Sequence, residues 1–231
     1  LSRTIEEESF VPEEMEPPRD YWRSVWNILK QDRNFSWFLV ARTFSQFAMM
    51  GTAFYTVYSV DHLGMDEITI GLLTAVYLAA MIVMNPLMGW LGDRLGHLHV
   101  IQIATLAAIS SALTAWLAPA PGWFFLAFIL AAIGNVAFWT ISMAFILDFG
   151  SENQRPAYIG LANSLIAPSA ILAPVLGGWL ADHFSYPTTF LVTALMGVFT
   201  AAAFFGFVRD PRHTGVSGKV INEDAFEPKE I

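Results

Sequence analysis

Long apolar stretches separated by short polar loops make up most of this chain. Six of them are 18 to 25 residues long, and they run over Ser36–Val60, Glu67–Leu91, Val100–Leu117, Trp123–Leu147, Ala157–Ala181 and Thr188–Val208. A helix of about 20 apolar residues crosses the hydrocarbon core of a bilayer, because it rises about 1.5 Å per residue against a thickness of about 30 Å. The pattern therefore predicts an all-α membrane protein with six transmembrane helices.

The composition supports this interpretation. Of the 231 residues, 55% are apolar and 14% are charged, whereas soluble domains carry about 25% charged residues. The net charge of −8 comes mostly from acidic residues near the two ends, so we expect no nucleic-acid partner. The chain has no cysteine, and its five histidines lie in loops, in the tail or at span ends. We therefore expect neither a metal site nor a cofactor.

The segments outside the apolar region divide into three parts. Residues 1–20 are acidic and contain proline, which predicts a disordered linker. Residues 21–33 place Trp22, Val25, Trp26 and Leu29 on one helical face. This spacing predicts an amphipathic helix on the membrane surface, with an extension of the first span as the alternative. The six-span bundle then covers residues 34–209, and residues 210–231 form a polar cytoplasmic tail.

Lysine and arginine residues lie on alternate sides of the predicted spans. They occur in the leading segment, the second and fourth loops and the tail, and not in the first, third or fifth loop. The positive-inside rule then predicts a multi-pass protein of the plasma (inner) membrane with both termini in the cytoplasm. Arg42 is the one basic residue inside a span, where it either snorkels to the surface or faces the protein interior.

Two parts of the chain repeat each other at an offset of 89 residues. Residues 70–72 match residues 159–161, and Gly89, Trp90, Leu91 and Asp93 match Gly178, Trp179, Leu180 and Asp182. Three predicted spans separate the copies, and because three is odd, the second copy is inverted relative to the first. Inverted repeats recur in secondary transporters. The alternative is a coincidence among residue types that are common in membrane helices.

The loop between spans two and three, GWLGDRLGH, resembles the cytoplasmic loop signature of the major facilitator superfamily, G-x-L-x-D-R-x-G-R-R/K. The matching positions are Gly89, Leu91, Asp93, Arg94 and Gly96, and the chain departs from the signature at His97 and Leu98. Span five ends in PVLGG, which is similar to the P-x-x-G-G ending of a fifth-span motif of the family. Its helix-packing positions are Pro174, Gly177 and Gly178, with Gly160 in step and Ser169 and Ala173 in place of glycines.

The resemblance covers residues 20–212 and implies the C-terminal half of a two-half transporter, built as a 3+3 inverted repeat. Its partner would be the N-terminal six-helix half, and the alternative is a self-sufficient six-span protein that dimerises. Asp93 lies where a carboxylate can face the positive end of a neighbouring helix, a contact that would hold one state closed. The resemblance also implies that Arg94, Asp148 and Arg155 form a cytoplasmic charge cluster that latches the outward-open state. The alternative is that these four residues only mark loop ends and orientation.

Polar side chains at mid-span are candidates for a substrate cavity. Span four offers Asn135, Trp139 and Ser142 at i, i+4 and i+7, on one helical face. Span one offers Gln46, with Tyr55 nearer its outer end. In the family that the chain resembles, these two spans line the cavity. The alternative roles are hydrogen bonding between helices or, for the tyrosine, a place at the membrane interface.

These observations favour a secondary transporter that moves a small solute across the lipid bilayer by alternating access. Because few charges lie at mid-depth, we expect a neutral or apolar solute, such as an exported drug-like molecule. The alternative is a transporter-derived receptor or scaffold that does not transport. We do not expect an enzyme, since GVSG, which is similar to a serine motif of intramembrane proteases, follows the last span instead of opening one.

Overall fold

The computed structural model describes residues 28–150 and 154–211, and every regular element in these residues is helical. Five stretches are long and apolar enough to cross a membrane. Four of them are single helices, namely α3 (Glu67–Leu95), α4 (His97–Leu117), α7 (Arg155–His183) and α8 (Tyr186–Gly206). The fifth, Trp123–Ile146, consists of α5 (Trp123–Val136), a π-helical segment and α6 (Ser142–Ile146).

The helix ends agree with the predicted spans to within a few residues, because turn chemistry marks them in the sequence. The side chain of Asp66 caps α3 by accepting a hydrogen bond from the Thr69 backbone N–H at 3.2 Å. Ser185 caps α8 in the same way, at 3.3 Å from the Thr188 nitrogen. These caps satisfy backbone N–H groups that have no partner within the helix.

The first predicted span, Ser36–Val60, is wrong as a single helix. It divides into α1 (Arg33–Phe47), a 3₁₀ turn (Met50–Phe54) and α2 (Tyr55–Asp61). Close packing accounts for the break, since a Cβ atom added at Gly51 would lie 2.6 Å from Oγ1 of Thr193 on α8. A Cβ atom added at Gly177 of α7 would lie 2.8 Å from the Phe54 ring. The neighbouring helices therefore press directly against the non-α-helical turn.

The fifth stretch is also irregular near its middle. Residues Ala137–Ile141 are π-helical, and the Ser142 hydroxyl donates a hydrogen bond to the Ala137 carbonyl at 3.1 Å. Thr140 in this segment donates to the side-chain oxygen of Asn85 on α3 at 3.0 Å. Single π-helical turns inside α-helices are frequent at functional sites, and this one borders the cavity described below.

Helix α4 lies at the centre of the bundle and packs against both α5 and α8. Small residues allow both approaches. A Cβ atom added at Gly134 of α5 would lie 2.9 Å from the Cβ atom of Ala108, and one added at Gly197 of α8 would lie 2.6 Å from Cγ1 of Ile109. Such close backbone contacts are typical of membrane bundles, in which lipid is as apolar as the helix surfaces.

Two aromatic clusters fill the interior of the bundle. One contains Phe35, Phe38, Phe145 and Tyr158, and the other contains Tyr55, Phe124, Phe128 and Phe190. The side-chain amide of Asn34 joins the two ends of the bundle, because it donates to the Arg209 carbonyl and accepts from the Arg209 N–H, both at 2.8 Å.

Helices α3 and α7 are much less covered than the other three stretches. Only 6% of the apolar window of α3 and 22% of that of α7 are buried, against 44–56% for the other stretches. Both helices carry exposed aliphatic side chains, among them Ile82, Val83, Ile171 and Val175. Within the described residues, these two helices therefore present apolar faces that no other helix covers.

Several predicted segments lie largely or wholly outside the described residues. These are the linker at residues 1–20, most of the amphipathic helix at residues 21–33, and the tail after residue 211. The last residues of the predicted amphipathic helix are described, and Ile28 is buried against the core of the bundle.

We expect Gly134→Val to lower the free energy of unfolding by about 1–3 kcal/mol, because the added side chain overpacks the contact with Ala108. The matched control is Gly206→Val, because a Cβ atom added at Gly206 meets no neighbouring atom of the described residues within 4 Å. Thermal unfolding of the purified protein in detergent measures both variants. Equal melting temperatures for the two variants would contradict the close approach of α4 and α5.

Candidate functional site

A cavity of about 300 Å³ lies between α1, the segment from the π turn to α6, and α7. Three of the five predicted cavity residues line it, namely Gln46, Trp139 and Ser142. Helix α7 contributes Asn163 and apolar side chains at the spacing of one helical face, Ile166, Ala167, Ala170 and Ile171. The cavity therefore combines a few polar groups with mainly apolar walls, as small-molecule sites do.

Arg42 is the one charged residue among those that line the cavity. Its side chain is buried, with 5% of the residue exposed, and so it faces the protein interior. The guanidinium donates a hydrogen bond to Ser45 Oγ at 2.7 Å, and its Cζ atom lies 5.7 Å from the centre of the Trp139 ring. Both contacts are with neutral side chains.

The other two predicted cavity residues lie elsewhere. Tyr55 is only 1% exposed, and it shares a hydrogen bond of 3.0 Å with Ser111. Its ring packs edge-on against Phe124 and Phe190, so it belongs to the aromatic core. Asn135 is half-buried on α5 and does not line the cavity. The π turn shifts the register between Asn135 and Trp139, which breaks the regular helical face on which the prediction relied.

In the loop signature, the central contact is made by His97, a residue at which the chain departs from the family pattern. Its Nδ1 lies 2.8 Å from Oδ2 of Asp148, while its Nε2 lies 3.9 Å from Oδ1 of Asp93. His97 is buried, and the Asp148 side chain is mostly buried as well. The histidine thus connects the start of α4 to the end of α6.

The predicted latch residues occupy different positions around this contact. The Asp93 side chain is 80% exposed. Arg94 does not form an ion pair with Asp148 within the described residues, and its Cζ atom instead lies 4.2 Å from the centre of the Trp90 ring. Arg155 is the first residue of α7, and Leu91 packs against the main core cluster.

The two predicted glycines of the loop signature differ in what surrounds them. Gly96 has a φ angle of +92°, which disfavours other residues, and a Cβ atom there would lie 2.5 Å from Oδ2 of Asp210. Around Gly89 there is no atom within 4 Å of an added Cβ atom. Gly92, which the sequence analysis did not single out, allows the His97 ring to approach, since a Cβ atom would lie 2.6 Å from its Cδ2 atom.

The predicted helix-packing residues of α7 also differ from one another. Gly177 contacts Phe54 closely, whereas a Cβ atom added at Gly178 would make an ordinary contact of 3.7 Å with the same ring. An added Cβ atom at Gly160 meets nothing within 4 Å. Pro174 lies within the continuous helix α7 and is exposed. Of the glycines, Gly177 therefore makes the close helix contact within the described chain.

This chain is similar to one protein family and to several known proteins. The family described as "Major Facilitator Superfamily" matches residues 36–226. The multidrug resistance protein MdtL of Shewanella sp. (strain ANA-3) is 23% identical over 138 residues, which cover 60% of this chain and 35% of that protein. The vesicular acetylcholine transporter of Drosophila melanogaster is 32% identical over 138 residues, which cover 59% of this chain and 24% of that protein.

A further relative is the class B tetracycline resistance protein of Escherichia coli. It is 24% identical over 144 residues, which cover 62% of this chain and 35% of that protein. The chain thus spans about a third of the length of the curated relatives that it matches.

We expect Gly96→Ala to lower the free energy of unfolding by about 1–3 kcal/mol, because alanine strains a backbone with positive φ and meets Asp210. Gly89→Ala in the same signature should change it by less than about 0.5 kcal/mol, since the added methyl group meets open space. Thermal unfolding of the two variants measures the difference. A larger loss for Gly89→Ala would contradict the placement of this loop.

Proposed function

Because the chain belongs to the major facilitator superfamily, we propose that it is the C-terminal half of a secondary active transporter that moves a small solute by alternating access. The observation that carries this proposal is an internal correspondence between two three-span units. The first unit runs from α1 to α4, and the second runs from α5 to α8.

The helix boundaries support an inverted 3+3 repeat. Helices α3 and α7 both have 29 residues, and α4 and α8 both have 21. Helix α1 ends at Phe47 and α5 ends at Val136, 89 residues later, so both leading spans lose α-helical geometry at matching positions. The offset is the one at which the sequence repeats. A chance resemblance of a few residues does not account for matching breaks.

The packing of the helices follows the same correspondence. When the two units are exchanged, the contact between α1 and α8 corresponds to the contact between α5 and α4. The contact between α3 and α5 likewise corresponds to the contact between α7 and α1. Likewise, α3 packs on α4 as α7 packs on α8, and α4 packs on its own counterpart, α8. Every one of these pairs maps onto another or onto itself under exchange of the two units, as a pseudo-two-fold axis requires.

A local pair of side-chain contacts repeats as well. Arg94 lies over the Trp90 ring at 4.2 Å, and His183, which is 89 residues further on, stacks on Trp179 with 5.0 Å between ring centres. The two tryptophans are about equally exposed, at 50% and 49%. Each unit thus places a basic side chain on an exposed tryptophan at the end of its second span.

In this proposal, the broken first span crosses the membrane as the sixth span. The stretch from Arg33 to Asp61 contains 29 residues, which at about 1.5 Å per residue reach about 40 Å. Its non-α-helical turn is enclosed by α7 and α8, and irregular backbone is tolerated at membrane depth where protein surrounds it. The positively charged loops support an orientation with both termini in the cytoplasm, and the proposed location is the plasma membrane.

The uncovered faces of α3 and α7 would pack against the N-terminal six-helix half. Gly71 and Gly160, which correspond under the repeat, both meet open space where a Cβ atom would stand. Exposed glycines on apolar helices permit a close approach of other helices. The residues that match this chain cover only 35% and 24% of two curated relatives, which agrees with a full protein that contains a second half.

For the substrate, the relatives suggest a drug-like solute, because several carry the names of drug resistance proteins. The cavity formed by Gln46, Trp139, Ser142 and their neighbours on α7 is the proposed site. A receptor or scaffold without transport is the alternative.

The proposal is tested with the full-length transporter that contains this segment. Drug-like solutes, tetracycline among them, are screened for those that raise the melting temperature of the protein, and uptake of each stabilising solute is then measured in proteoliposomes. We expect saturable uptake that exceeds that of empty liposomes. Solutes that bind but never cross the membrane would favour the receptor or scaffold.

We expect Asp93→Asn to reduce uptake about fivefold while the amount of folded protein stays the same. The proposed latch requires a carboxylate at Asp93 that faces the positive end of a helix, and such an attraction contributes about 1 kcal/mol. The corresponding variant on the other unit, Asp182→Asn, is the matched control and should transport normally. Normal uptake by Asp93→Asn, or an equal loss in both variants, would contradict the latch.

A further inference from the structure

We infer that the cavity between α1, α6 and α7 binds an oxyanion of its solute, a carboxylate or a group of like charge and shape, through the guanidinium of Arg42. This inference rests on the proposed function and names the class of solute. It differs from the expectation of a neutral solute, which rested on the small number of charges at mid-depth and left Arg42 undecided between snorkelling and the interior.

A buried cation requires compensation. Moving a charged side chain away from water costs several kcal/mol unless an opposite charge and hydrogen bonds replace its hydration. Arg42 is 5% exposed, and within the described residues no carboxylate lies within ion-pair distance of it. Its neighbours are a hydroxyl, Ser45 Oγ at 2.7 Å, and the face of Trp139. These groups orient the guanidinium but leave its charge without a counter-charge in this half.

The position of Arg42 indicates that the counter-charge of its guanidinium belongs to a solute in the cavity. The guanidinium is held from the side by Ser45 and Trp139, and the residue lines the same space as Gln46 and Asn163. Guanidinium presents a planar set of donors that matches a carboxylate with two parallel hydrogen bonds. The two amide side chains offer further donors for the same oxygens.

The remaining walls fit the rest of such a solute. Trp139 is 61% exposed and offers a flat aromatic face, and α7 adds Ile166, Ala167 and Ile171. A cavity of about 300 Å³ holds a molecule of one or two aromatic rings. The solute class is therefore a small monoanion with an apolar, preferably aromatic, body.

Binding of a matched pair of probes to the full-length transporter tests the inference. The probes are 2-naphthoate and 2-naphthamide, which have the same ring system but differ in charge, and their dissociation constants are measured by equilibrium dialysis. We expect naphthoate to bind at least about tenfold more tightly. Arg42→Gln should abolish this difference, because it should weaken naphthoate binding far more than naphthamide binding. Arg42→Lys, which keeps the charge but not the fork of donors, should retain part of the difference.

A second variant keeps the test decisive if Arg42→Gln does not fold. Gln46→Glu places a carboxylate one helical turn from Arg42, on the cavity side. It should weaken naphthoate binding about tenfold more than it changes naphthamide binding. Equal binding of the two probes to the unaltered protein, or a preference that survives both substitutions, would overturn the inference. Equal binding of the two probes is the result expected if a carboxylate of the N-terminal half pairs with Arg42.

The two proposals fail in different ways. If naphthoate binds in an Arg42-dependent manner but no solute crosses the membrane, the oxyanion site stands and the transport function fails. If neutral solutes are transported and Arg42→Gln changes neither their uptake nor the probe constants, transport stands and the oxyanion site fails.

Discussion

The absence of water from the hydrocarbon core is the constraint on which this structure depends. Backbone N–H and C=O groups in that layer must bond to each other, so long apolar segments become helices whatever their detailed sequence. The two departures from α-helical geometry, at Met50–Phe54 and Ala137–Ile141, pack against neighbouring helices rather than standing alone. Glycines at positions 51 and 177 permit that enclosure by allowing helices to approach the first break closely.

Because water is absent from the hydrocarbon core, the buried charge of Arg42 indicates what the cavity binds. Exposed aliphatic side chains on α3 and α7 do not by themselves distinguish a lipid-facing surface from one that meets another protein half, because both are apolar. In the proposed full-length transporter, the glycines at positions 71 and 160, which face open space, lie where a helix of the other half approaches. A buried guanidinium in an apolar cavity is costly wherever its partner comes from, and Arg42 therefore carries the most specific information about the solute.

Hydropathy predicted the helix positions well because it reports the membrane constraint directly. It did not predict the break in the first span, which depends on how closely α7 and α8 approach residues far away in the sequence. The spacing on span four predicted one face for Asn135, Trp139 and Ser142. In the structure Trp139 and Ser142 line the cavity and Asn135 does not, because a π turn intervenes. The sequence signal for Asn163 was weak, because it consists only of one polar residue at the start of an apolar helical face. His97 stood out only as a departure from the loop signature, and its contact with Asp148 requires the tertiary structure.

In the proposed inverted repeat, three membrane crossings separate two corresponding segments, which therefore meet opposite aqueous phases. Leu95 and Phe184 are exposed, correspond under the offset of 89 residues, and lie in a chain without cysteine. Single cysteines at these two positions, in a full-length protein without other cysteines, can be labelled with a membrane-impermeant maleimide in intact cells. The account predicts labelling of the cysteine at position 184 from outside, and of the cysteine at position 95 only after the membrane is opened. Labelling of both from the same face would contradict the inverted repeat.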